Sequence, residues 1–191
     1  MAIACSLAMA LGQYGQIRPQ YHLLRRLHLF LQEWGTQLAG LPAIMPDLRP
    51  QGSRDVDTLR WCVRSDGTNG FLFVNNYQRL QEMPPKTNVQ FMIQLPAGPL
   101  TFPEQPVTIP SEACFVWPFQ LNLGKGVHLA WATAQPLTAI DDGGMRTVFF
   151  VETKNVPAEF AFDSNAGLKA ISGRVTSSGG RATRRRRGPR R

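Results

Sequence analysis

Between residues 58 and 162 the apolar side chains come in short runs separated by Gly, Pro, Asn and Asp. Alternation within those runs is the period of extended strands, and the interrupting residues are the ones that turns require. The clearest case is DGTNGFLFVNNYQRL. Phe71, Phe73 and Tyr77 fall on one face of an extended segment and Leu72 and Val74 on the other, so this strand is apolar on both sides and needs cover on both. Asp66-Gly67 and Asn69-Gly70 supply turn chemistry before it, and Pro84-Pro85 stops pairing after it. The same pattern predicts strands over 58–64, 70–75, 88–95, 107–109, 114–122, 127–132, 137–140, 147–152 and 158–162. Turns at Pro96-Ala97-Gly98 and Asp141-Asp142-Gly143-Gly144 divide them. Strand centres at short, even spacing with no helical stretch between them favour an antiparallel β-sandwich over a parallel sheet.

Ahead of the strands the period changes. Leu24, Leu27, Leu31, Trp34 and Leu38 recur at spacings of three and four, with Arg25, Arg26, Gln32 and Glu33 on the other faces. Pro19 suits the first turn of a helix, and Gly40 with Pro42 ends it. One amphipathic helix over 19–38 is predicted, and it must lay its stripe on a sheet, on other helices or on a partner. Residues 41–57, rich in Pro, Gly and Asp, read as a connector. The fold class is therefore mainly β: an antiparallel sandwich over 58–163, one leading amphipathic helix within 1–40, and a basic tail over 164–191 expected to be disordered.

Charge sharpens the division. The chain carries a net +8, but residues 1–163 hold twelve Lys and Arg against thirteen Asp and Glu, a net of −1. Nine basic residues and no acid follow, among them Arg184, Arg185, Arg186, Arg187, Arg190 and Arg191. Such a tail adds non-specific affinity for nucleic acid without a surface that reads bases. Cys5, Cys62 and Cys114 have no C-x-x-C spacing, which indicates neither a disulfide framework nor a zinc site; buried free thiols are the expectation. No run approaches the roughly 20 apolar residues of a membrane-spanning helix. The chain reads as soluble, with its compartment open.

Candidate chemistry is sparse. Serine-hydrolase, P-loop, dinucleotide and zincin motifs are absent, and His22, His28 and His128 have no partner at ligand spacing. Sugar hydrolysis needs two carboxylates facing one bond, and Glu104 and Glu112 in FPEQPVTIPSEA are the nearest candidates, in a Pro-rich segment where solvated turn residues are expected. Trp61, Trp117 and Trp131 could form a sugar-stacking platform, although Trp residues on strands are more often core.

The run LGQYGQIRPQYHLLRRLHLFL resembles the end of the catalytic barrel in bacterial beta-galactosidases of glycoside hydrolase family thirty-five. The segments WCVRSDGTNGFLFVNNYQRLQEMP, VQFMIQLP, FPEQPVTIPSEACFVWPFQLNLG, ATAQPL and VPAEFAFD are similar to the β-rich region that follows that barrel. The resemblance covers residues 11–163. It implies a β-sandwich accessory region with the last barrel helix attached, belonging to an enzyme that cleaves terminal β-galactosides with retention and needs no cofactor. The family's two catalytic glutamates lie on earlier barrel strands, so no residue here inherits their role. Where the family has Tyr-Asp-Ala-Pro before Leu-Gly-x-Tyr-Gly, this chain has Ser6-Leu7-Ala8-Met9-Ala10, and Gln13 replaces an acidic residue.

The expectation is thus a beta-galactosidase fragment that is not catalytic alone, with the catalytic barrel as its missing partner. Self-association through Leu24, Leu27, Leu31 and Trp34 is the expected consequence. A Gly/Arg/Ala/Ser-rich end outside the resemblance is what a shifted frame of GC-rich DNA would encode, pointing to a truncated or mis-framed product. The rival readings are a stand-alone carbohydrate-binding module and a basic-tailed nucleic-acid binder. Exposure separates the scaffold from the module: a solvent-facing row of Trp and Tyr supports binding, whereas buried rings support a scaffold.

Overall fold

The computed structural model describes residues 10–12, 14–163 and 176–178, the last of these by backbone alone. The replaced family residues at 6–9 and 13, Cys5, and the tail at 164–175 and 179–191 lie outside the described residues. The architecture is mainly β with one helix among the described residues. Two compact units divide the chain: Met1–Gly40 with Pro136–Val151, and Leu41–Gln135 with Glu152–Arg191.

In the first unit α1 (Pro19–Gly40) forms where the three-and-four spacing predicts it, and it runs to the Gly ahead of Pro42. Its burial differs from the predicted stripe. Phe30, Trp34 and Leu38 are buried, whereas Leu23, Leu24, Leu27 and Leu31 remain 40–64% exposed. Cover begins at Phe30 and the first turns of the apolar face are bare. Trp34 is therefore not available for the self-association surface in which the stripe placed it. The same unit holds most of the hairpin β8 (Ala134–Asp142) and β9 (Met145–Glu152), joined at Gly143 and Gly144, both at positive φ. Arg146 of β9 donates one Nη to Glu33 of the helix and the other to Asp141 of β8.

The second unit carries a seven-stranded sheet in the order β1-β2-β3-β6-β7-β10-β11. Its strands are β1 (Ala43–Ile44), β2 (Arg60–Ser65), β3 (Gly70–Asn75), β6 (Cys114–Gly124), β7 (Val127–Ala132), β10 (Phe160–Asp163) and β11 (Thr176–Ser178). All neighbours are antiparallel except β10 and β11, which pair in parallel with Ala161 opposite Thr176. That strand departs from the expectation that the whole of 164–191 is disordered. The predicted strands 70–75 and 127–132 form with those bounds.

A two-stranded sheet of β4 (Lys86–Leu95) and β5 (Gly98–Ile109) completes this unit. Phe91 faces Phe102 and Ile93 faces Leu100 across it. Phe91, Ile93, Phe102 and Ile109 form one core cluster with Val63, Leu72, Val74, Phe115, Trp117, Phe119 and Trp131 of the larger sheet, which makes this unit a β-sandwich. Phe71 and Leu72 are both fully buried, so β3 is covered on both faces, as its double-sided apolar pattern requires.

The prolines of β5 shaped the ladder rather than ending the strand. Between the pairs Phe91–Phe102 and Val89–Val107 the register shifts, and residues 103–106 bulge out with Pro103 and Pro106 inside the bulge. The Gln90 side-chain amide donates to the carbonyls of Pro103 (2.9 Å) and Glu104 (3.3 Å), supplying donors that the ladder lacks there. The connector is likewise held by side chains. The Asp55 carboxylate accepts the N–H groups of Gln51, Asp57 and Thr58, Arg60 donates to the Asp55 carbonyl, and Lys86 donates to the Val56 carbonyl.

Candidate functional site

Of the three Trp residues considered as a platform, Trp117 and Trp131 are core, and Trp61 is a partly buried residue packed against that core. Trp117 is fully buried opposite Leu72, its ring 4.4 Å from Phe115, and its Nε1–H donates to Thr153 Oγ1 at 3.0 Å. Trp131 is 7% exposed and stacks on Phe102 with ring centroids 5.8 Å apart. Trp61 is half-buried and lies edge-on to Phe91. A stacking platform needs a free ring face in solvent, and β-sheet register turns these rings toward the second sheet instead.

The carboxylates stay apart from any enclosed site. Glu104 is exposed within the β5 bulge, where its N–H donates to Glu159 Oε2 at 3.4 Å; Glu112 is exposed in the turn before β6. Both match solvated turn carboxylates. His22, His28 and His128 are exposed, and among the described residues no group of three or more His, Cys, Asp or Glu could hold a metal ion. Cys62 and Cys114 are free thiols. Desolvation pushes the Cys62 thiol up, with the Arg64 guanidinium opposing it. Cys114 is exposed rather than buried, and its Sγ–H donates to Asn75 Oδ1 at 3.2 Å.

The second unit has an open groove of about 500 Å³ where the loop after β3 meets the turn before β6, and another of about 480 Å³ beside the Pro96–Gly98 turn. The walls of the first are Tyr77, Gln78, Leu80, Gln81, Glu82 and Met83 from the loop, with Ser111 and Glu112 from the turn. Asn76 ties the two segments together. Its N–H donates to the Ala113 carbonyl at 2.7 Å, its carbonyl accepts from Glu112 N–H at 3.0 Å, and its side-chain amide donates to the carbonyls of Pro84 and Pro110. The residue is fully buried, and its Oδ1 has no hydrogen-bond partner. Asn75 Oδ1 accepts from Tyr77 N–H at 2.8 Å and so sets the first residue of the wall. Leu80 (φ 63°) and Glu112 (φ 60°) adopt the left-handed backbone that non-glycine residues rarely take. Leu80 is 93% exposed despite being apolar.

Sequence reasoning passed over this groove. The signal available was NNYQRLQEM, a run dense in amides between an apolar strand and Pro84-Pro85. Its closure against Ser111 and Glu112, which follow the run only after the whole β4–β5 hairpin, is a tertiary event.

Two aspartates elsewhere in the unit are strongly perturbed. Asp66 accepts from the N–H of Asn69, the hydroxyl of Thr68 and the N–H of Thr68, which lowers its pKa to about 2. Thr58 and Gln51 N–H groups lower Asp55 to about 2 as well. These shifts mark ordered turns, since hydrogen bonds to the charged form account for them.

No family model and no curated protein matches the chain. Among the described residues no helix is long and apolar enough to cross a membrane.

Proposed function

We propose that this chain is an accessory β-sandwich region of a beta-galactosidase of glycoside hydrolase family thirty-five, carrying the terminal helix of a catalytic barrel, and that it scaffolds catalysis without performing it. The observation that carries the reading is the burial of Trp117 and Trp131 together with both faces of β3. Aromatic residues spent on the core make a rigid support rather than a ligand platform, and this favours the scaffold over the stand-alone binding module. The residues carrying the resemblance, 11–163, extend through both compact units.

Retaining hydrolysis needs two carboxyl groups roughly 5 Å apart across one glycosidic bond, one as nucleophile and one as acid and base. Glu104 and Glu112 are solvated, on a bulge and a turn, and supply no enclosed pair. The barrel strands of the parent enzyme would supply it.

Two measurements test the proposal. The purified chain alone should turn over a chromogenic β-galactoside no faster than buffer, and activity abolished by substituting Glu33, Glu104 or Glu112 singly would overturn the non-catalytic reading. Mixed or fused with the isolated catalytic barrel of a family thirty-five beta-galactosidase, the chain should raise the thermal midpoint and turnover of that barrel. No association and no effect on either would overturn the family assignment.

A further inference from the structure

We propose that the groove between the 77–83 loop and the 111–112 turn is a binding site for a neutral saccharide. The chemistry of its wall excludes other ligand classes first. Glu82 and Glu112 line it and no Lys or Arg does, although Arg79 lies in the same loop, so phosphates, nucleic acid and acidic peptides meet repulsion. Polar groups make up most of the wall, which suits neither an acyl chain nor an apolar peptide face.

What remains is a set of groups matched to vicinal hydroxyls. The amides of Gln78 and Gln81 each donate and accept, the Ser111 hydroxyl does both, and the two carboxylates accept. Tyr77, 46% exposed, gives the wall one aromatic ring, and an aromatic face covers the C–H side of a pyranose. A volume of about 500 Å³ falls within the range of small-molecule sites. The walls are also pre-set. Asn76 clamps both segments through four hydrogen bonds, and the left-handed residues Leu80 and Glu112 hold the turns, so binding need not order a loose loop.

The site is separate from the buried Trp residues and does not depend on which enzyme the region serves. Lactose, maltose and cellobiose therefore go into separate titrations of the full chain, followed by backbone amide shifts in nuclear magnetic resonance. Saturable shifts at Gln78–Met83 and at Ser111 and Glu112 are expected with at least one sugar at about millimolar concentration. Tyr77→Ala should weaken binding about tenfold, the scale of a lost aromatic contact, while Tyr77→Phe retains it. Gln81→Ala should weaken it as well, and as an exposed position it tests the site even where Tyr77→Ala lowers stability. Binding of maltose or cellobiose without lactose supports the groove while separating it from the galactoside reading. Absence of saturable shifts with all three sugars, sugar shifts confined to other segments, or shifts at the groove with calcium chloride alone would each overturn the proposal, the last by making the two carboxylates a cation site.

Discussion

At the scale of single residues, the same side-chain type does different work according to what surrounds it. Asp66 shows this for charge. Its pKa lies at about 2, below the usual 3.8, because Asn69 and Thr68 donate to the carboxylate, so the stabilisation is complete above about pH 4 and is lost as pH falls toward 2. Replacing Asp66 by Asn should flatten the fall of the thermal midpoint between pH 5 and pH 2, and equal slopes in mutant and parent would remove Asp66 as a source. Asp55 keeps part of the acid sensitivity in either case. Trp117 and Trp61 show the same lesson for aromatics. Trp117→Ala should cost about 3–5 kcal/mol in urea unfolding, from a cavity and a broken bond to Thr153, whereas half-buried Trp61 should cost distinctly less. Which Trp is which could not be read from their alternation alone, since each lies on a strand with apolar neighbours.

Among the elements, α1 carries the sharpest contrast. Its period was legible from Leu24, Leu27, Leu31, Trp34 and Leu38, but the buried set is Phe30, Trp34 and Leu38, because cover reaches the helix only in its second half. Leu27→Gln with Leu31→Gln should cost at most about 2–4 kcal/mol for the pair, since each side chain is some 40% exposed and keeps only part of a buried leucine's contribution. Light scattering should show the double mutant shifted toward monomer relative to the parent, as expected of a bare apolar patch. Phe30→Ala alone should cost about 3–5 kcal/mol. Unfolding of the chain by the double mutant would show that the exposed leucines are core and that the scaffold reading of this helix is wrong. In β5, Pro103 and Pro106 lie in a segment expected to hold turn residues, and the structure accommodates them as a bulge within one strand, where Gln90 meets the unpaired carbonyls.

For the whole molecule, charge and fold separate along the chain. Residues 179–191 carry seven Arg and no acid, so truncation after Ser178 should abolish retention on heparin at moderate salt and leave the thermal midpoint unchanged. Truncation after Asp163 also removes β11 and uncovers the edge of β10, and it should lower the midpoint. Equal midpoints for the two truncations would show that the parallel pair adds nothing to stability. The amino-acid sequence by itself determined where strands and helix run and where turns divide them, because alternation, three-and-four spacing and turn residues act within a few positions. It also determined that β3 would need cover on both faces. Tertiary structure alone decided that β3 lies between β2 and β6, that Trp117 and Trp131 point inward, which half of the helix is covered, and that Asn76 clamps two distant segments into a groove. Those outcomes depend on groups tens of residues apart in the chain, whose meeting no local period encodes.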